Sequence, residues 1–357
     1  MTFTALRTGA FRNLADREVD TQSRDVFLVG ENGQGKTNFL EALYFSAYGS
    51  SFRGNRDEDL IRSGESSCAV RARLGGPVHS SIQVKIDRGR KSIELDGKAL
   101  EDRKELLQVI PCIVFCHEDM EFVSGPPETR RRFFDQTQSL YDSVYLEDLR
   151  RYRKVLKMRN ALLRQEDSGG AVLDSLDAQL IEYGLALMSK REEAARQFSA
   201  FFGALYEEVS GIAGIAVRYA PSWRGANSGE VAAYLASRRD QERMMKLTLS
   251  GPHRDRYLFM RKDAEFSGRA STGQRRLLAL LLRTAQAGRF SRMTGRSPVL
   301  LLDDALLELD PEKRRKFLAA MPEYDQAFYT FLPEEPYERY RREGTLVYRV
   351  QDGVIEA

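Results

Sequence analysis

Eight consecutive residues near the start of the chain have the types and spacing of a phosphate-binding loop. The run Gly30 to Thr37 reads G-x4-G-K-T and lies between an apolar run, Val26 to Val29, and a stretch with helical spacing. Glycines let the backbone wrap phosphates and turn its N–H groups inward, and a helix start adds a favourable dipole. Lys36 is predicted to reach the β and γ phosphates, and the Thr37 hydroxyl to bind Mg²⁺. The alternative is a glycine-rich turn that binds no ligand. The sequence therefore predicts an ATP and Mg²⁺ site made by Gly30, Glu31, Asn32, Gly33, Gln34, Gly35, Lys36, Thr37 and the adjoining Asn38.

Two acids follow a second apolar run, far along the chain. Val299 to Leu302 is predicted to form a buried strand that ends at Asp303 and Asp304. In a parallel sheet the tip of this strand lies beside the phosphate loop, where Asp303 can hold Mg²⁺ through water. Asp304 would orient and deprotonate the attacking water. The alternative is a strand that leads into an acidic turn, which the presence of the phosphate loop disfavours.

A third pattern, Ser271-Thr272-Gly273-Gln274, precedes the apolar stretch RRLLALLLRTAQ. Ser271 is a good N-cap for a helix, and Gly273 allows the backbone to approach a ligand closely. Because the chain already has one phosphate loop, a phosphate bound here would be the γ-phosphate held by a second copy of the protein. An ordinary capped amphipathic helix is the alternative for this pattern.

Composition describes an ordinary globular chain. The sequence has 357 residues, a net charge of +3, 42% hydrophobic residues and 30% charged residues. Net charge alone therefore says little about a polyanionic partner. Three cysteines suit a reducing compartment, and the absence of a signal-like or membrane-spanning run predicts a soluble cytoplasmic protein. Cys112, Cys116 and His117 have no fourth ligand at suitable spacing, so buried cysteines are favoured over a metal site.

Periodicity gives a coarse plan of the fold. Strands are predicted at Phe3 to Leu6, 68–74, 81–86 and 91–95, around a helix at 36–48. The proline-free segment from Glu128 to Ala220 is predicted to be mainly helical, with a break at Asp167 to Gly170 that suggests an antiparallel hairpin. A helix at 274–287, the strand at 299–302 and a final αβ stretch follow. The plan is an α/β domain built from residues 1–125 and 246–357, with a helical arm at 126–245 inserted.

The order of these motifs resembles the ABC-type ATPase heads of the SMC and Rad50 class, and the residues resemble the RecF family within it. The stretches that carry the resemblance are GENGQGKTNFLEALY, GSSFRGNRDEDLIRSG, EDMEFVSGPPETRRRFFDQ, MRNALLR, LSGPHRD, STGQRRLLALLL and LLLDDALLELD. The resemblance implies a P-loop NTPase head with a mixed sheet and a short inserted helical arm. It also implies an ATP-dependent homodimer, weak hydrolysis stimulated by DNA, and recombinase loading at gapped DNA with RecO and RecR.

Residue roles follow from the same resemblance. Gly30 to Thr37 would be the Walker A loop, Asp303 the Walker B acid and Asp304 the general base. Ser271, Gly273 and Gln274 would form the signature that acts in trans, and Asp310 would lie in the D-loop that contacts the partner copy. Three positions depart from the family pattern: Thr272 within the signature, Ala305-Leu306-Leu307 after the acids, and AFYTFLPEEP, which lacks a threonine-rich run and leaves Thr330 as the candidate γ-phosphate sensor.

Basic residues give weaker indications of DNA contact. By resemblance Arg53 and Arg56 follow the first helix where related heads carry an arginine that touches DNA, whereas a solvated loop is the alternative. Two further groups concentrate charge in the arm and could contact phosphates or only water: Arg130, Arg131 and Arg132, then Arg150, Arg151, Arg153, Lys154, Lys157 and Arg159. His253 could be a structural or a functional turn residue.

Rival functions share some of these motifs. The ATPase subunit of a membrane transporter is the main alternative, although its insertion is usually shorter and contains its own signature. A chromosome-organising ATPase would need a longer arm, and an OLD-type nuclease would need an additional acidic metal domain.

Overall fold

The computed structural model describes residues 1–54, 56–165, 170–225, 227–307 and 309–357. They form two compact units: a head unit, Met1–Asp119 with Gln286–Ala357, and an arm unit, Met120–Ala285. Residues 246–285, which composition assigned to the C-terminal lobe, belong to the arm unit. The domain boundaries at 125 and 245 stay predictions.

The N-terminal part of the head unit is rich in strands. Its elements are β1 (Thr2–Gly9), β2 (Glu18–Asp20), β3 (Asp25–Val29), α1 (Lys36–Tyr48), β4 (Ser67–Gly75), β5 (Ser81–Asp87), β6 (Arg90–Leu95), β7 (Lys98–Ala99), α2 (Leu106–Val109) and β8 (Cys112–Phe115). Strands β2, β1, β4, β5, β6 and β7 form one antiparallel sheet in that order. Buried and exposed residues alternate along β4 and β5, as expected for a sheet with one face on the core.

The arm unit is mainly helical. It contains α3 (Glu121–Ser124), α4 (Pro127–Ser139), α5 (Ser143–Leu162), α6 (Gly170–Ser210), β9 (Ile215–Ala220), α7 (Ser228–Met245), β10 (Arg256–Arg261), β11 (Ala264–Glu265) and the start of α8 (Thr272–Thr294), which ends in the head unit. Helices α5 and α6 are antiparallel, since Arg159 pairs with Asp177 near one end and Tyr145 contacts Arg191 near the other. The predicted hairpin is confirmed, although residues 167–169 of its predicted break lie outside the described residues.

One part of the helical prediction is wrong. Ile215–Ala220 is a strand that pairs with β10 along its whole length, in a sheet of order β11-β10-β9. The sequence IAVRYA is rich in β-branched and aromatic residues, and its partner strand lies about forty positions further on. Its composition favours a strand, whereas the absence of proline in the segment predicts continued helix.

The remaining elements complete the second head sheet. They are β12 (Val299–Leu302), α9 (Pro311–Ala319), β13 (Gln326–Phe331), β14 (Leu346–Gln351) and β15 (Val354–Glu356). The sheet order is β15-β14-β3-β13-β12-β8, parallel except for β15. Every residue of β3, β12 and β13 is buried, as in a parallel sheet covered on both faces. Helix α1 packs against both head sheets through a core that includes Phe39, Leu43, Val84 and Phe328.

Candidate functional site

The phosphate loop joins β3 to α1 in the head unit. Gly33 and Gly35 have φ of 80° and 116°, values that side chains other than glycine rarely adopt. Glu31, Asn32 and Gly33 are exposed, whereas Lys36 is only 4% exposed. Lys36 Nζ donates to the carbonyl oxygens of Gly30 at 2.6 Å and Glu31 at 3.0 Å. An ammonium with three donors is therefore held at the mouth of the loop by neutral acceptors, where an anionic phosphate oxygen would be a stronger partner.

Strand β12 brings the two acids to this loop. Thr37 Oγ1 donates to Asp303 Oδ1 at 2.8 Å. Thr330 on β13, the strand between β3 and β12, lies 3.3 Å from Asp303 Oδ1 and 2.8 Å from Asp304 Oδ1. Its hydroxyl also accepts from Asp304 N at 2.7 Å. The carboxyl ends of three adjacent parallel strands thus place these four groups at one edge of the sheet.

Burial changes the acidity of Asp303. Loss of solvent raises the pKa of its carboxyl to about 6, while the Thr37 hydrogen bond opposes the rise and the neighbouring Asp304 adds to it. Asp304 itself adopts a left-handed backbone, with φ of 46°. A buried carboxyl beside a hydroxyl and a second carboxylate is a hard-oxygen donor set that suits Mg²⁺, since a divalent cation would favour the ionised form. The residues fit the predicted cation.

A polar network that sequence reasoning missed supports the loop from the side. Asn13, in the turn after β1, accepts from Asn38 Nδ2 at 2.8 Å and lies against Gly35. Glu41 on α1 is fully buried and binds Arg12 through two hydrogen bonds, at 2.5 and 3.0 Å. No local motif marks Arg12 or Asn13, because their roles depend on the turn after β1 lying beside α1.

The two arginines predicted to contact DNA differ in environment. Arg53 donates to Asn38 Oδ1 at 3.1 Å and lies 3.6 Å from Glu41, so it is tied to the phosphate-loop helix. Arg56 is exposed, and its backbone N–H binds Asp59. Arg56 is thus the freer of the two side chains to meet a polyanion.

The predicted signature lies in the arm unit and starts α8. Gln274 N donates to Ser271 Oγ at 3.2 Å, and Ser271 N donates to Gln274 Oε1 at 2.9 Å. This reciprocal capping box confirms Ser271 as the N-cap. Ser271, Thr272 and Gly273 are exposed, and a Cβ at Gly273 would meet no described heavy atom within 4 Å. The turn is open to a ligand, and its role in trans stays a prediction.

Asp310 caps a helix of the head unit. Its carboxylate accepts from Lys313 N at 2.9 Å and pairs with Lys313 Nζ at 2.7 Å, at the start of α9. These bonds lower the pKa of Asp310. The D-loop contact with a second copy stays a prediction for this residue.

The arginines of the arm unit differ in their hydrogen-bond partners and in their exposure to solvent. Arg130 donates to Val123 O at 2.6 Å and pairs with Glu265 at 3.0 Å, and Arg131 donates to Asp255 O at 2.8 Å, whereas Arg132 is exposed. Arg159 has no exposed surface and pairs with Asp177 and Glu242. The prediction that Arg159 lies on a charged outer face is wrong, because its guanidinium joins α5, α6 and α7 inside the arm.

His253 lies in a partly buried turn of the arm unit. Its Nδ1 is 2.7 Å from Tyr152 Oη and its Nε2 is 3.1 Å from Thr248 O. Because a carbonyl can only accept, Nε2 carries the hydrogen and Nδ1 accepts from the tyrosine. Burial lowers the pKa of His253 to about 4. These contacts favour the structural alternative for this residue.

No cluster of three or more candidate metal-ligating His, Cys, Asp or Glu side chains occurs in the described part of the chain. Cys68, Cys112 and Cys116 are buried and form no disulfide with one another, and burial raises the pKa of Cys68 to about 11. Among the same residues, no helix is long and apolar enough to cross a bilayer.

Comparison with known proteins gives full-length matches. Residues 2–356 match the sequence model of the RecF/RecN/SMC N terminal domain. The chain is 44% identical over 345 residues to the DNA replication and repair protein RecF of Treponema pallidum, covering 96% of this chain and 97% of that protein. It is 34% identical over 341 residues to the RecF protein of Desulforudis audaxviator, covering 92% and 94%.

Solved structures agree with these sequence matches. The recombination mediator protein RecF-ATP of the RecFOR pathway superposes with a TM-score of 0.90 at 26% identity, covering 99% of this chain and 96% of that one. An Smc head bound to the C-winged helix domain of ScpA superposes with a TM-score of 0.57 at 16% identity, covering 99% and 96%. The Smc match supports the fold alone, and the ABC-type ATPase head predicted from the sequence is confirmed.

Proposed function

The chain belongs to the RecF family of DNA replication and repair proteins, and from this premise we propose that it binds ATP with Mg²⁺ and pairs with a second copy of itself on DNA. The observation that carries the proposal is the convergence of Lys36, Thr37, Asp303 and Thr330 at one sheet edge. A similar solved structure, of a RecF protein, is described as a complex with ATP. The transporter alternative is not favoured, because the curated relatives that match the full chain are RecF proteins.

Each part of the site has a distinct task in this proposal. The N–H groups of Gly33 to Lys36 and the Lys36 ammonium would hold the phosphates. Thr37 and Asp303 would hold Mg²⁺, which supplies charge neutralisation between the phosphates when bound. Asp304, fixed by Thr330 through two hydrogen bonds, would orient a water molecule and accept its proton. The site residues predicted from the sequence remain proposals for these roles.

Pairing of two copies would complete the site. The Ser271 turn is exposed and capped, so its N–H groups can receive an anion held by the phosphate loop of a second copy. Asp310 would contact the partner copy beside it. In this scheme ATP stabilises the pair and slow hydrolysis, stimulated by DNA, releases it.

DNA contact is assigned to exposed cations. Arg56 and Arg132 are exposed and are proposed to bind phosphates, which act without regard to base sequence. Arg53 would join them by exchanging its contact with Asn38 for a phosphate. Arg130 and Arg131 are removed from this set because their guanidinium groups bind carbonyls within the arm. RecR, with RecO, is the partner that the resemblance implies at gapped DNA.

Light scattering of the purified protein with ATP·Mg²⁺ and a gapped duplex tests the pairing. We expect wild type to double in mass, and Ser271→Arg to bind ATP yet remain monomeric. Ser228→Arg, at another exposed helix start of the arm unit, is the control and should pair like wild type. Normal pairing of Ser271→Arg would refute the trans role, and failure of wild type to bind ATP would refute the proposed function as a whole.

A further inference from the structure

The phosphate loop is contacted along its length by the β14–β15 hairpin. This hairpin turns at Asp352 and Gly353, whose φ values are 48° and 78°. Asp352 N donates to Gln34 Oε1 at 2.6 Å, and Gly353 N donates to Gln34 O at 2.8 Å. Both the side chain and the backbone of one loop residue are therefore fixed by two adjacent N–H groups of a single turn.

Backbone packing adds contacts that no side chain could provide. A Cβ at Gly30 would overlap the carbonyl oxygen of Val350 on β14, and a Cβ at Gly353 would overlap the carbonyl oxygen of Asn13. Gly353 O in turn accepts from Ala15 N at 2.9 Å. The hairpin thus lies against the start of the loop at Gly30 and against the turn that supports its end at Gly35.

We infer that the Asp352–Gly353 turn is a positioning element for the phosphate loop, which it holds in the conformation that receives phosphates. The inference rests on the proposed nucleotide site and goes beyond it, because Asp352 and Gly353 belong to none of the motifs that predict that site. A loop that must order itself on binding loses affinity to that ordering, so a loop held beforehand binds more tightly. Gly30 of the loop and Gly353 of the hairpin are then both required by protein packing.

A second turn of the head unit provides a matched control. The β5–β6 hairpin turns at Arg88 and Gly89 with φ of 47° and 75°, the same left-handed pair as at Asp352 and Gly353. Both are two-residue hairpin turns of type I′, so alanine at the glycine costs the same backbone strain in each. A Cβ at Gly89, however, would meet no described heavy atom within 4 Å. The difference in nucleotide affinity between Gly353→Ala and Gly89→Ala therefore reports on the contact between Gly353 and the Asn13 turn.

Nucleotide affinity of the two variants tests the inference. A fluorescent ATP analogue would be titrated with Mg²⁺ into wild type, Gly89→Ala and Gly353→Ala, and thermal unfolding measured beside it. We expect Gly89→Ala to bind within about twofold of wild type and Gly353→Ala to bind about tenfold more weakly, since its loop is no longer held. Equal affinity in the two folded variants would overturn the inference, whatever their melting temperatures.

A milder variant covers the case in which Gly353→Ala does not fold. Gln34→Met keeps the backbone carbonyl that binds Gly353 but removes the acceptor for Asp352 N. Hydrogen exchange of the amides of residues 30–35, measured without nucleotide, should speed up in Gln34→Met and in folded Gly353→Ala but not in Gly89→Ala. Unchanged exchange in Gln34→Met would refute the positioning role. Wild type that binds no nucleotide would refute the proposed function instead, and the exchange measurement would still decide the positioning role.

Discussion

Thr37 Oγ1 donates a 2.8 Å hydrogen bond to Asp303 Oδ1, although 266 positions separate the two residues. The bond joins the start of α1 to the tip of β12, and Thr330 on the intervening strand reaches the same carboxylate oxygen. The two sequence motifs are thereby one site within the head unit, and its chemistry can be tested one group at a time.

Thr37→Val should weaken nucleotide binding and also lower the stability of the head unit. The change removes the hydroxyl with little change in volume, so the proposed Mg²⁺ site loses a ligand and Asp303 loses a donor. We expect Mg²⁺-dependent ATP affinity to fall about tenfold or more and stability to fall by about 1–3 kcal/mol. Thr37→Ser, which keeps the hydroxyl, should retain both. Titration of ATP with Mg²⁺ and with EDTA measures the effect, and a valine variant that matches the serine variant would contradict it.

Thr330→Val should reduce the rate of ATP hydrolysis more than it reduces ATP affinity. The Thr330 hydroxyl bridges Asp303 and Asp304, so its loss would leave the proposed base without a fixed orientation. We expect the rate of phosphate release to drop about tenfold or more, while ATP affinity changes by less than about threefold. Thr330→Ser is the conservative control and should restore the rate. A valine variant with wild-type turnover would remove Thr330 from the reaction.

Arg56→Ala should weaken DNA binding without affecting ATP. Because Arg56 is exposed, its proposed contact is with phosphate, and the loss should be similar for unrelated sequences. The slope of log affinity against log salt should decrease by about 1 for each phosphate contact removed. Fluorescence anisotropy of labelled duplex over a range of KCl concentrations measures the slope. Arg88→Ala, at an exposed hairpin turn, is the control, and an equal loss in both variants would indicate only a general charge effect.

Arg191→Met should destabilise the arm unit strongly. The Arg191 guanidinium lies 2.8 Å from both Asp135 and Asp255 and is 3% exposed. Removing it takes the shared cation from two buried carboxylates, and although Asp135 keeps Arg153 at 3.3 Å, the change costs about 3–5 kcal/mol. Arg196→Met, on the same helix, removes an ion pair with Glu193 at the surface and should change stability by less than about 0.5 kcal/mol. Urea unfolding compares them, and similar losses would show that the buried cluster contributes no more than a surface pair.

His253 should make stability dependent on pH in the acid range. Its pKa is lowered from 6.5 to about 4 in the folded chain, so the unfolded chain binds the proton first as pH falls. The stabilisation is complete above pH 6.5 and declines as pH falls towards 4, by about 2 kcal/mol between pH 7 and pH 5. His253→Gln removes this titration, so its free energy of unfolding should fall by about 2 kcal/mol less than that of wild type between pH 7 and pH 5. Urea unfolding at pH 7 and pH 5 measures the loss for each protein. An equal loss in wild type and in His253→Gln would contradict the assignment.

Local patterns in the sequence were sufficient for much of the fold. Lys36–Tyr48 is helical as its apolar spacing predicted, and Val299–Leu302 is the buried strand that its composition indicated. The Ser271 cap was also predictable, because a capping box involves only residues three positions apart. Such features depend on residues that are close in the sequence, so they can be predicted without knowing where the rest of the chain lies.

Other features required the three-dimensional pairing. Ile215–Ala220 is a strand because it pairs with β10, about forty positions away, which no local pattern reveals. Arg159 is buried because it pairs with acids that are distant in the sequence.

What the sequence alone determined was the chemistry of each local motif: a glycine loop with Lys36 and Thr37, an acid after a buried strand, and a capped helix start. Tertiary structure decided which groups meet. Thr330 lies between the two motifs only because β13 is inserted between β3 and β12, and Gly353 contacts the Asn13 turn only because β14 pairs with β3. The physical reason is that hydrogen bonds and close packing act over a few ångströms in space, whereas sequence patterns report on a few positions along the chain.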